Sequence, residues 1–219
     1  MSDRALVPIV VYGAGGHGRE TALLIETLIA TGARWQLLGY LVDESACHGT
    51  TVGGLPVLGD STYLATHHGQ CDVAVGIGSA DARRRVVARI RPLVRSFPIL
   101  IHPSVPPFSR VAIGEGSHVH AGSILTADIH IGAFVVLNRH VDVSHDCHIE
   151  SWSTLAPAVT LAGNVRVGAG ADLGVRVTCI PGVHIGADSI VGAGAVVTRD
   201  VPAGHTAVGV PARSLSLAS

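Results

Sequence analysis

The sequence predicts a small α/β domain with a Rossmann-like parallel sheet, followed by a parallel β-helix built of hexapeptides. Three observations predict it. Starting at Ile113, an aliphatic residue recurs at every sixth position through Val197, fifteen positions in register with a single cysteine, Cys179, among them. Two residues before most of these stands a small or β-branched residue, as in Val111, Ser117, Ser123, Val135, Val141, Cys147 and Ser153. Upstream of Ile113, short apolar runs alternate with stretches of helical spacing and are punctuated by glycine. A period of six marks a parallel β-helix in which each hexapeptide points one aliphatic residue into a shared prism-shaped core. Three hexapeptides close one triangular coil, so residues about eighteen apart stack.

Val7 to Tyr12 is an apolar run ended by glycines and reads as a buried strand. GAGGHGRE follows, and Thr21 to Ala30 carries apolar residues at helical spacing. Trp35 to Leu41 is a second strand, and Ala46 to Gly59 reads as a glycine-rich connection. Asp72 to Ile77 is a third strand. Ser79 is placed to cap a helix over Ala80 to Arg91, stopped by Pro92. Phe97 to Ile101 reads as a fourth short strand of the same sheet. Pro103, Pro106 and Pro107 mark the junction, giving domains 1–103 and 104–219, with a tail after Val201 outside the repeat.

A chain of 219 residues with a formal net charge of -1 gives no electrostatic case for nucleic acid or an anionic membrane. The arginine run Arg83-Arg84-Arg85, with Arg89, Arg91 and Arg95, reads as a solvated helix face. The four cysteines are scattered and lack a CxxC pair, so no disulfide framework or zinc ribbon is expected. No apolar stretch reaches the length of a membrane span, and the expectation is a cytoplasmic, soluble protein.

Gly13, Gly15 and Gly18 form a GxGxxG loop between strand and helix, a pattern that lets backbone approach a phosphate at a helix N-terminus. Nucleotide or nucleotide-sugar binding, a nicotinamide site and a purely structural turn all remain open on this motif. The short α/β part disfavours a full dinucleotide site. His17 lies inside the loop, and Asp43 at the end of the second strand suits a ribose or sugar hydroxyl, or caps a turn.

Six histidines fall between His118 and His148. His118, His120, His130 and His184 read as solvated outward positions. His145 differs, because the eighteen-residue stacking places Ala127 and Gly163 on either side of it and Asp146 follows it. A base, a carboxylate and the Gly163 N–H are parts suited to acyl transfer. His140 and His145 have a zinc-like spacing, but a third ligand would fall at Gly122 or Ser123, so no metal is expected. Cys147 keeps the register of the small packing column and reads as packing.

With YGAGGHGRE, GYLVD, TVGGLPVLGD, IHPS, LNRHVDVSHDC, LAGNVRVG and VGVPAR in place, nearly the whole chain resembles bacterial sugar O-acyltransferases of the sialic-acid O-acetyltransferase type. These include the acetyl-CoA-dependent N-acetyltransferases of nucleotide-linked amino sugars. The resemblance implies a left-handed β-helix, a homotrimer, and acetyl-CoA lying between neighbouring solenoids. It implies His145 as general base, Asp146 as its acidic neighbour and Asn138 lining the same site. It implies acetyl-CoA contacts at Thr154, Gly163, Gly174, Val175 and Gly194, and substrate contacts at Gly15, Gly16, His17, Asp43 and Gly78. Thr154 stands where many members have histidine, and Val42-Asp43 where many have two acids. The expected reaction is acetyl transfer to the amine of a nucleotide-linked amino sugar in surface-glycan biosynthesis. O-acetylation of a sugar hydroxyl such as that of sialic acid, and a non-catalytic trimeric solenoid, are the alternatives.

Overall fold

The computed structural model describes residues 5–67 and 69–215 and divides the chain into two compact units, 1–98 and 99–219. The first unit holds a five-stranded sheet of order β3-β4-β2-β1-β5. Its strands are β1 (Val7–Tyr12), β2 (Trp35–Leu41), β3 (Thr51–Val52), β4 (Leu55–Gly59) and β5 (Asp72–Val75). The helices are α1 (Gly16–Ala30), α2 (Ser61–Thr66) and α3 (Ala80–Ile90). β1 pairs in parallel with both β2 and β5, and β2 with β4. Ile9, Val10 and Val11 are fully buried, as a central strand covered on both faces requires. Because β1 is followed by β2 on one side and flanked by β5 on the other, the strand order reverses between β1 and β5. In open α/β sheets the crevice at such a point is where ligands bind.

Two expectations for this unit are corrected. The glycine-rich connection from Ala46 to Gly59 contains the β3–β4 hairpin, in which β4 runs parallel to β2 and β3 forms the sheet edge. A two-residue strand and a five-residue one, separated and flanked by glycines, carry too little periodicity to be seen in sequence. Leu100–Ile101 is not a strand of this sheet. The Leu100 N–H donates to the Ser117 carbonyl and the His102 N–H to Val119, so the segment pairs with His118–Val119 and opens the solenoid. The division between units accordingly falls ahead of the expected 103/104.

The second unit is a three-faced parallel β-helix. The first face runs through Ile113, Ile131, Ile149, Val167 and Ile185, the second through Val119, Leu137, Leu155, Leu173 and Val191, and the third through Leu125, Val143, Leu161, Cys179 and Val197. Register is 18 residues through the fifteen repeat positions, as in Leu137↔Leu155 and Val143↔Leu161, and shortens to 16 at the last coil, as in Ile190↔Thr206. Fourteen of the fifteen repeat positions are buried, Ile113 being partly so. From Ser117 onward the column two residues earlier is buried too, and its hydroxyls are satisfied by coil carbonyls: Ser117 donates to Gly132 O at 2.8 Å and Ser123 to Asn138 O at 2.9 Å. The tail does not leave the stack, since Thr206–Val208 adds a parallel strand beside Ile190–Val191.

Each corner turns at a residue with positive φ, again every sixth position from Gly116 to Gly194. Asp128, His140, Asp146 and Asn164 are among them, and Asp and Asn tolerate the left-handed region better than most side chains.

Candidate active site

His145 and Asp146 sit on the corner between the third and first faces, both exposed. The corner conformation at Asp146, φ 61°, turns its carboxylate back to the preceding ring, and His145 Nδ1 lies 2.8 Å from Asp146 Oδ2. An ionised carboxylate only accepts, so in the neutral ring this contact places the proton on Nδ1 and the lone pair on Nε2. The stacking of three coils is direct: the Asp146 N–H donates to Ala127 O at 3.0 Å and the Asn164 N–H to His145 O at 2.8 Å. Gly163 therefore stands over the imidazole, and a Cβ there would lie 2.6 Å from both Cε1 and Nε2. Its own N–H has no backbone acceptor among the described residues.

A groove of about 490 Å³ on the first face opens beside this pair, lined by Arg110, Asp128, His130, Asp146 and His148. The His130 and His148 rings stack at 5.3 Å with 6° between planes, one coil apart. His148 and Arg110 were not anticipated as site residues. The signal for His148 was available in the eighteen-residue register of outward positions Ala112, His130, His148, Arg166 and His184, and that for Arg110 in the column it shares with Asp128 and Asp146. His130 and His184 are exposed, as expected. His118 and His120 are not: they are 1 % and 5 % exposed, with rings edge to face at 6.3 Å. Pointing away from the solenoid core does not here mean pointing to water. Burial, then the nearby Arg139 and His102, pushes the His120 pKa down to about 4.

Asn138, expected to line the same site as His145, and the remaining residues anticipated for acetyl-CoA lie elsewhere in the chain. Asn138, Gly174, Val175 and Gly194 occupy the corner between the second and third faces, and Thr154 the second face. Within one chain they stand across the third face from His145. Asn138 Oδ1 accepts from the Arg139 N–H at 2.7 Å. Gly174 has a packing cause, since a Cβ would come 2.6 Å from Ala193 N on the next coil, while Gly194 has a conformational one, φ 72°. Val175 is exposed. Cys147 is buried with Sγ 3.2 Å from Ala162 O, and burial raises its thiol pKa, so it packs as expected.

In the first unit the glycines separate into two kinds. A Cβ at Gly18 would lie 2.0 Å from Gly13 O, at Gly13 2.8 Å from Gly76 O, and at Gly76 2.6 Å from Gly18 Cα. These three let the loops after β1 and β5 close on each other. At Gly15, Gly16 and Gly78 an added Cβ meets nothing within 4 Å. Those three border the crevice, where Gly15 caps α1 without a side-chain hydrogen bond and leaves its first N–H groups available. His17 sits in the first turn of α1. Asp43 is held in a network: Tyr12 OH donates to it, and Arg89 Nη2 donates to its two oxygens at 2.7 and 2.8 Å. Burial alone would raise the Asp43 pKa, but the bonds from Arg89 and Tyr12 outweigh it and hold the carboxyl below its ordinary value. Burial and Asp43 push Tyr12 up to about 12.

A hexapeptide solenoid with a histidine–carboxylate pair on one corner, preceded by a Rossmann-like unit, defines a sugar acyltransferase of the hexapeptide-repeat class. The PglD N-terminal domain family matches residues 8–90, and the hexapeptide repeat of succinyl-transferase matches residues 164–199. The chain is 33 % identical to GDP-perosamine N-acetyltransferase of Escherichia coli O157:H7, over 94 % of this chain and 95 % of that one. PerB from Caulobacter crescentus, solved with CoA and GDP-perosamine, matches at 37 % identity with a TM-score of 0.86, covering 98 % of this chain and 100 % of that one. The acetyltransferase domain of PglB from Neisseria gonorrhoeae FA1090, solved with acetyl coenzyme A, matches at 30 % identity with a TM-score of 0.87, covering 96 % and 100 %. The chain belongs to the acetyltransferase family represented by GDP-perosamine N-acetyltransferase. Among the described residues no helix is long and apolar enough to cross a membrane.

Proposed function

We propose that the protein transfers the acetyl group of acetyl-CoA to the amine of a nucleotide-linked amino sugar, with a GDP-linked 4-amino sugar as the first candidate acceptor. The observation that carries this reading is the His145–Asp146 pair beneath Gly163. His145 Nε2 takes the proton from the attacking amine as the new C–N bond forms at the thioester carbonyl. Asp146 holds the ring in the required tautomer and stabilises the imidazolium. The Gly163 N–H stabilises the tetrahedral oxyanion. Collapse breaks the C–S bond, and the CoA thiolate leaves with the proton from His145. No acyl-enzyme is formed, and the buried Cys147 and Cys179 take no part. Burial pushes Cys179 up to about 12.

The groove beside the pair suits the sugar. Its fixed charges are Arg110 against Asp128 and Asp146, a surplus of one carboxylate that favours an incoming ammonium. Gly15, Gly16, His17, Asp43 and Gly78 would hold the nucleotide at the crevice of the first unit. Asn138, Thr154, Gly174, Val175 and Gly194 would meet acetyl-CoA from a second copy, because they lie across the third face from His145 in their own chain. This fits a cytoplasmic homotrimer with acetyl-CoA shared between neighbours. A panel of GDP-, UDP- and dTDP-linked amino sugars, offered with acetyl-CoA and read by thiol release and product mass, tests the reading. Release only with a hydroxyl acceptor such as sialic acid would replace it.

A further inference from the structure

Arg83 sits inside the arginine run of α3, yet its side chain is 1 % exposed while Arg85 and Arg89 lie at the surface. The expected solvated face therefore does not include it. Its Nη1 donates to the carbonyls of Ile77 at 3.0 Å and Gly78 at 2.6 Å, the two residues ahead of the Ser79 cap of α3. This loop borders the crevice between β1 and β5. It is clamped at its start by Gly76, whose Cα face is packed on Gly18 of α1. At Gly78 it faces open space. The loop is thus fixed at one end by close glycine contact and at the other by two hydrogen bonds from one guanidinium nitrogen.

Burying a guanidinium is costly, and an apolar side chain of similar volume would fill the same place. What arginine adds is a single Nη1 that donates to two successive carbonyls, bonds that an apolar chain cannot make and that a lysine ammonium, with a shorter stem and no planar guanidinium to fix its direction, would make in a different geometry. Turning the Ile77 and Gly78 carbonyls inward toward α3 leaves the opposite side of that backbone, and the clear space at Gly78, for a ligand. We propose that Arg83 is a positioning residue for the nucleoside diphosphate of the acceptor, holding the Ile77–Gly78 backbone in its ligand-accepting conformation. This rests on the reading of the first unit as the nucleotide-sugar site.

The full chain and its Arg83→Lys and Arg83→Met variants are titrated calorimetrically with GDP, guanosine and acetyl-CoA, and their kinetics measured with GDP-perosamine. The expected result is at least a tenfold loss of GDP affinity and a matching rise in acceptor KM. Guanosine and acetyl-CoA binding and kcat at saturation should stay within about threefold. Gly78→Leu, which enters open space without backbone strain, should reproduce the loss from the ligand side even if Arg83→Met fails to fold. Unchanged GDP affinity in folded Arg83→Lys and Arg83→Met would overturn the role while leaving the acetyltransferase reading intact. So would a parallel fall in GDP, guanosine and acetyl-CoA binding, which marks a stability effect alone. A wild-type chain that binds neither GDP nor UDP would remove the nucleotide reading, and this role with it.

Discussion

Gly163 stands so close over His145 that a single methyl group on its Cα would lie 2.6 Å from both Cε1 and Nε2 of the ring. The absent side chain is what gives the imidazole its place. Gly163→Ala meets no φ penalty, so the fold should persist while the ring is displaced. A displacement near 1 Å costs about 10²-fold in rate. The expected outcome is a fall in kcat of that order with an unchanged melting temperature, measured by thiol release and calorimetry.

Asp146→Asn keeps a residue that tolerates the corner's positive φ but removes the charge behind His145. A hydrogen bond to a charged group contributes about 1.5–3 kcal/mol, which corresponds to roughly 10–100-fold in rate. The loss should appear in kcat, be smaller than that of His145→Ala, and leave acetyl-CoA affinity unaffected.

The two kinds of glycine in the first unit should respond oppositely. Gly18→Ala drives a Cβ into Gly13 O and should abolish or severely weaken folding of that unit. Gly15→Ala, with nothing within 4 Å, should fold normally and raise acceptor KM. Circular dichroism and steady-state kinetics separate the two.

Buried His120, with its pKa near 4, makes stability depend on acid. Below the ordinary histidine value near 6.5 the unfolded chain binds a proton there that the folded chain refuses. Its contribution is therefore complete above pH 6.5 and is lost as pH falls toward 4, by about 3 kcal/mol in all. Denaturant titrations of His120→Gln between pH 7 and pH 4 should show a flatter profile than the parent chain.

The solenoid was legible because each coil must supply three inward apolar residues, and from Ile113 to Val197 only Cys179 is not aliphatic. The same register made the His145–Gly163 contact legible before any coordinates, since the eighteen-residue repeat stacks them. The corner residues form a second period-six column, rich in Gly, Asp and Asn, that would have marked Asp146 as a turn position. What stayed hidden depends on packing that sequence does not encode locally. Arg83 looks like its solvated neighbours until the loop it holds is built. His118 and His120 look like any outward pair, and the β3–β4 hairpin is too short to show a period. The distribution of Asn138 and Val175 across a face from His145 is likewise a property of the closed coil.

The central claim is that His145 is the base for acetyl transfer to a sugar amine. The direct measurement is kcat for acetyl-CoA-dependent N-acetylation of GDP-perosamine by the parent chain and by folded His145→Ala. The account predicts an N-acetylated product from the parent and a loss of about 10²–10⁴-fold in the variant. Equal kcat in the two proteins would contradict it.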